Sequence, residues 1–168
     1  MAPAPRLAPG FAWARAGRGR LALRGRPKLA LVPHLGPLGC DRLVTLLSAR
    51  EGALTIGRAA EAAGLAWTWS PLDNGRAPAD RAHHQLARTA RELAARLGEG
   101  ESVLIHCAAG LHRTGMLAYA VLRSLGLSPE GARATIAEAR PETAEAMREH
   151  HVAWGDELVD GGVVRAAP

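Results

Sequence analysis

A nucleophile and an anion clamp stand with five residues between them in His106-Cys107-Ala108-Ala109-Gly110-Leu111-His112-Arg113-Thr114-Gly115. A cysteine attacks as its thiolate, and a positive environment at a turn or helix N-terminus favours that form. The planar guanidinium of Arg113 can place two parallel hydrogen bonds on a phosphate and stabilise the charge of its transition state, which the point charge of a lysine does not reproduce. Gly110 lets the backbone bend close to a ligand. The Thr114 hydroxyl is near enough in sequence to donate to the sulfur as it leaves, and His106, just before the nucleophile, is placed to orient the loop. Cys107 and Arg113 are thus the expected catalytic pair, with Ala108, Ala109, Gly110, Leu111, His112 and Arg113 binding phosphate and His106 and Thr114 in support.

Such a loop works only if regular elements fix it at both ends. Ser102-Val103-Leu104-Ile105-His106 reads as a buried strand that runs into the loop, and Thr114–Leu125 reads as the helix leaving it. Backbone N–H groups of a tight turn followed by a helix N-terminus make a cradle for a tetrahedral anion. Further strands are expected at Leu21–Leu23, Arg42–Leu47 and Leu65–Ser70, the last with Trp67 and Trp69 on one face. Pro33–Gly39 and Pro71–Pro78 read as loops. Helices are expected over Leu54–Gly64, over Asp80–Leu97 with Gly98 closing it, from Ser128-Pro129-Glu130 with a serine cap, and lastly from Pro141. Strands alternating with helices imply an α/β domain with a central, mainly parallel sheet flanked by helices and a helical C-terminal half.

The 168 residues suit one domain, and 48% hydrophobic against 22% charged residues allows a proper core rather than disorder. Aromatics are only 4%, so Leu, Val and Ala must fill most of it. The expected organisation is a basic, partly flexible arm over 1–20, a catalytic domain over 21–160 and a tail over 161–168. Residues 1–40 carry seven basic and no acidic residues, and the remainder 14 basic and 16 acidic, which together give the net +5. That asymmetry suits an anionic partner, nucleic acid included, or else a solvated arm that aids solubility. Two cysteines, Cys40 and Cys107, make no disulfide framework and suit a reducing compartment. No apolar signal region and no 20-residue apolar run is present, so a soluble, cytoplasmic protein without a membrane partner is expected. The sequence is silent on oligomeric state.

The segment from His106 to Gly115 resembles the signature of the cysteine-dependent protein-tyrosine-phosphatase superfamily, His-Cys-x5-Arg-Ser/Thr-Gly, at each defining position. Phe11-Ala12-Trp13, Gly25-Arg26-Pro27 and Leu43–Leu47, in that order, are similar to the N-terminal half of small atypical dual-specificity phosphatases. The resemblance covers about residues 9–150 and implies a dual-specificity-phosphatase-like fold, a short catalytic domain with a shallow pocket, and no metal or other cofactor. It further implies phosphotyrosine and phosphoserine or phosphothreonine peptides as substrates.

Transfer of phosphate to Cys107 expels an alkoxide that needs a proton. In the family an aspartate on a mobile loop supplies it, and Asp73 occupies the matching loop here. Aligned on Pro71 and Pro78, however, the usual place of the acid falls on Asn74, which has no transferable proton. Asp80, or no dedicated acid, remains the alternative.

His83-His84 and His150-His151 read as surface residues, since neighbours on a helix point about 100° apart and make no chelate. His112 reads as lining the pocket mouth or as rim polarity, and both tryptophans read as core. Cys40 reads as structural, with a reversible disulfide to Cys107 as the alternative. Three other functions share these residues: an RNA-end or nucleotide phosphatase using the same loop and the basic arm, a phospho-binding module with weak turnover, and a sulfur-transfer domain. His106 and Arg113-Thr114-Gly115 argue against the last.

Overall fold

The computed structural model describes residues 12–73 and 80–164, with the backbone alone for 80–81 and 161–164. Asn74 through Pro78 lie outside the described residues. The strands are β1 (Ala14–Ala16), β2 (Gly19–Arg24), β3 (Arg42–Thr45), β4 (Ala66–Trp69) and β5 (Ser102–His106). The helices are α1 (Ala53–Ala62), α2 (Asp80–Gly98), α3 (His112–Ser124), α4 (Pro129–Ala139), α5 (Pro141–Ala146) and α6 (Glu149–Val164).

The sheet order is β1-β2-β5-β3-β4, with β1 antiparallel to β2 and the other pairs parallel. This is the mainly parallel sheet expected. β5 lies at its centre and is buried at every position. Its alternation divides the core in two: Val103 and Ile105 face Leu21, Leu23, Val44, Met116 and Leu117, while Leu104 faces Ala22, Leu43, Val32 and Ile56. The register pairs Arg24 and Thr45 with His106 on either side, so three parallel strands end together. A crevice outside the carboxyl ends of such strands is where α/β folds place ligands.

Several expectations are corrected. The basic front end is not loose from Ala14 onward, because β1 and the start of β2 join the sheet. Ala14 and Ala16 are fully covered, and a Cβ on Gly19 would collide with the Glu101 carbonyl. Strands built from Ala, Gly and Arg carry no β-branched signal, which hid them. A short 3-10 helix, Leu29–His34, runs into the stretch expected as a loop from Pro33. The helix from Pro141 is not the last one. Met147 is extended (φ −65°, ψ 136°), and its side chain comes within 3.2 Å of where a Cβ on Gly115 would stand, so the chain breaks there before α6 begins. α6 then runs on through Val164, past the boundary drawn at residue 160.

β4 is an edge strand, and only Trp67 of its two tryptophans packs against the core. Trp67 is half-buried and Trp69 is 36% exposed, with their rings stacked 5.9 Å apart. His83 and His151 are likewise not surface residues: His83 is half-buried and accepts from Trp154 Nε1 (3.0 Å), and His151 is buried where α6 packs on α3. No helix among the described residues is long and apolar enough to cross a membrane.

Candidate active site

β5 ends at His106, the loop 107–111 turns, and α3 starts at His112, two residues before the expected Thr114. Cys107 sits in the turn, 3% exposed at the edge of the larger core. Two donors point at its sulfur: the Gly110 N–H at 3.2 Å and the Thr114 hydroxyl at 3.1 Å. An open cavity of about 190 Å³ lies above, lined by Cys107, Ala108, Ala109, Leu111, His112 and Arg113. Gly110 is buried beneath rather than lining it, with φ +72°; a Cβ there would collide with the Arg24 backbone and with the Arg140 guanidinium.

The loop carbonyls are tied back. Ala108 C=O accepts from the Arg26 N–H (2.9 Å), Arg140 Nη1 donates to both Ala109 and Gly110 C=O (2.9 Å each), and the Thr143 hydroxyl donates to Gly110 C=O at 2.6 Å. A peptide anchored through its C=O on one side presents its N–H on the other, and the Gly110 N–H so presented meets the Cys107 sulfur. Arg140, between α4 and α5, and Thr143, in the first turn of α5, come from some 30 residues away, and neither had a signal in the sequence. If the anchors set the cradle, Thr143→Val lowers kcat/KM on an aryl phosphate by about tenfold, since a buried acceptor loses a partner, while Thr143→Ser keeps it. An unchanged kcat/KM with a lowered melting temperature would make Thr143 a purely structural residue.

His106 is fully buried and holds the loop from the strand side. Its Nδ1 lies 3.1 Å from Cys107 C=O and its Nε2 2.8 Å from the Thr45 hydroxyl. A carbonyl only accepts, so Nδ1 carries the proton and Nε2 accepts from Thr45. The Thr45 oxygen in turn accepts from Trp67 Nε1 at 2.9 Å. Burial, ahead of the charges of Arg24, Arg26 and Arg113, pushes the His106 pKa down to about 4. The ring is therefore neutral near pH 7, in the tautomer that this chain of donors requires.

Arg113 is held in a fork. Its Nη1 and Nη2 each donate to one Glu51 oxygen at 3.0 Å, and Nη1 donates also to Leu72 C=O at 3.2 Å. Ser48 fixes the carboxylate in turn: its N–H donates to Glu51 Oε2 (2.8 Å) and its hydroxyl accepts from the Glu51 N–H (3.3 Å). The Arg113 hydrogen bond is the main cause that holds the Glu51 carboxyl down at about 2. Glu51 is a residue the sequence reading missed. Ser48-x-x-Glu51 ahead of an apolar helix resembles a capping box, which announces a local lock but not a partner 62 residues along the chain.

Asp73 is exposed and is not among the residues lining the cavity, but it directly follows Leu72, whose carbonyl Arg113 holds. Asp80 begins α2, and its side chain is outside the described residues, as is all of Asn74. His112 is exposed at the rim, its ring 5.8 Å from that of His151. Cys40 does not meet Cys107. Asp41, beside Cys40, bonds to Ser102 at the start of β5, whereas Cys107 follows its end, a separation of roughly 17 Å at 3.3 Å per residue. Burial pushes the Cys40 thiol up to about 12. Among the described residues, no group of three or more His, Cys, Asp or Glu is placed to hold a metal ion.

The sequence matches no curated protein. In structure it is similar to Tk-PTP in its active form (26% identity, TM-score 0.68, covering 95% of this chain and 99% of that one). It also shares the fold of PTPMT1 in complex with PI(5)P (21%, 0.70, 92% and 99%) and of human DUSP28 (19%, 0.66, 92% and 100%). A model described as the tyrosine phosphatase family matches residues 72–157, just over half of the chain. A cysteine in the loop that follows a central parallel strand, in a fold shared with these phosphatases, agrees with that match: the chain belongs to the tyrosine phosphatase family and is a cysteine-dependent phosphatase.

Proposed function

We propose that the chain hydrolyses phosphomonoesters through a phosphocysteine intermediate, with phosphotyrosine and phosphoserine or phosphothreonine peptides as its substrates. The observation that carries this reading is the Cys107 sulfur, which receives two hydrogen bonds on the floor of a cavity bordered by Arg113. The Cys107 thiolate attacks phosphorus, an S–P bond forms, and the P–O bond to the leaving group breaks while Asp73 gives its proton to the departing oxygen. Water then attacks phosphorus, Asp73 takes back a proton, and the S–P bond breaks. The sulfur leaves as a thiolate stabilised by the Thr114 hydroxyl and the Gly110 N–H. Arg113 and the loop N–H groups hold the equatorial oxygens throughout. The peptide substrates are supported by the family and by the likeness to Tk-PTP.

Asp73 supplies the test. The residue before it gives its carbonyl to Arg113, so its loop is tied to the clamp. Asp73→Asn lowers kcat about 100-fold on an alkyl phosphate, whose leaving oxygen needs a proton, and far less on an activated aryl phosphate, whose anion is stable alone. Equal losses on both would reduce Asp73 to a residue that shapes the loop. No loss on either would remove it from the reaction.

A further inference from the structure

One side of the cradle is built from arginines. Arg26 follows β2 by two residues, and its backbone N–H donates to Ala108 C=O at 2.9 Å. Its guanidinium crosses to the opposite wall, where Nη1 comes within 3.4 Å of the position a Cβ on Gly52 would take. Gly52 adjoins Glu51, which clasps Arg113, so Arg26 spans the rim from the cavity-lining Ala108 to the loop that fixes the clamp. Behind it stand Arg140, on the Ala109 and Gly110 carbonyls, and the half-buried Arg24.

These charges are poorly compensated. Arg24 Nε donates only to a neutral carbonyl, that of Gly25, and its pKa is lowered first by burial and then by Arg140. Among the described residues, the carboxylate paired with Arg140 is that of Glu142, 3.9 Å away with a side chain 60% exposed. Glu51 is already engaged by Arg113. The Arg26 guanidinium makes no hydrogen bond or ion pair with a described residue. Like charges held together against their repulsion are relieved when an anion sits among them.

We propose that Arg26, backed by Arg24 and Arg140, forms a second anion subsite beside the cradle, so that favoured substrates carry a second phosphate or carboxylate a few bonds from the scissile phosphate. This rests on the phosphomonoesterase reading above. The scissile phosphate has its own partners in Arg113 and the loop amides, which leaves the Arg26 guanidinium, beside Gly52, for a second anion. Because the Arg26 backbone is bonded to the cradle itself, only a group close to the scissile phosphate reaches both.

The test compares phenyl phosphate with 3-carboxyphenyl phosphate at low ionic strength. In Arg26→Gln the ratio of kcat/KM for the carboxylated ester over the plain one falls about fivefold, as befits an exposed charge pair, and in Arg26→Lys most of the ratio is kept. A ratio equal to wild type, with both rates lowered alike, would show that Arg26 only steers the scissile phosphate and would overturn the subsite. The same ratio is read from the Kd of the two esters for Cys107→Ser with and without Arg26→Gln. A wild-type chain that turns over neither ester would overturn the hydrolytic reading, while the binding ratio still decides the subsite.

Discussion

Cys107→Ser folds and binds inorganic phosphate, yet turns over an aryl phosphate more than about 10,000-fold more slowly than the wild type. The fold survives because the change is nearly isosteric and the new hydroxyl lands between the two donors that faced the sulfur, the Gly110 N–H and the Thr114 hydroxyl. Its oxygen is thus satisfied as an acceptor in a position only 3% exposed. Binding survives because the cradle is made by backbone N–H groups and Arg113, and their geometry depends on anchors elsewhere: Arg140, Thr143 and the Arg26 N–H. Chemistry does not survive, since a serine hydroxyl is not ionised near neutral pH and no base among the described residues bonds to it; His106 is committed through both ring nitrogens to Cys107 C=O and Thr45. The checks are a thermal melt, phosphate titration and steady-state kinetics on one preparation. Turnover within tenfold of the wild type would take the nucleophile's role from Cys107.

How much of this was legible in the sequence follows the range of each interaction. β5 and the loop after it could be read residue by residue, because an unbroken apolar run, a glycine and a helix start are local signals. Ser128 capping α4 through the Gly131 N–H was legible for the same reason. β1 was not. Its alanines carry no strand preference, and their burial depends on α4, whose residues come more than 100 positions later. Within the site, Cys107, Arg113 and Thr114 announced themselves by spacing, whereas Glu51, Thr45, Trp67, Arg140 and Thr143 act through partners 22 to 62 residues away. Trp67 is the sharpest case. Its period-2 partnership with Trp69 was correct, but its indole N–H bonds to the buried Thr45, the partner of His106, a contact no local pattern announces.

Arg113→Lys lowers kcat on a simple aryl phosphate by about 1,000-fold, far beyond the usual effect of a substitution that keeps the charge. The reason lies in how the guanidinium is held. Two nitrogens meet the two Glu51 oxygens at 3.0 Å each, and Nη1 also reaches Leu72 C=O, which fixes the plane of the fork before any phosphate arrives. A lysine ammonium offers one point to that carboxylate and has no second arm for the transferring phosphoryl group, so both the preorganisation and the bidentate contact are lost. The tie between the clamp and the loop that carries Asp73 goes with them. Lysine does retain a charge beside Glu51, so the carboxyl stays ionised near neutral pH, and the loss belongs to geometry rather than to a changed protonation state. In the wild type the Glu51 carboxyl is depressed to about 2, so its contribution to the clamp is present above the ordinary carboxylate range and fades only as pH falls from there toward 2. Between pH 5 and 8 the ratio of wild-type to Arg113→Lys kcat is therefore flat. A ratio below about tenfold, or one that climbs steeply across that window, would mean that Arg113 acts as a plain positive charge and that the fork on Glu51 is irrelevant to catalysis.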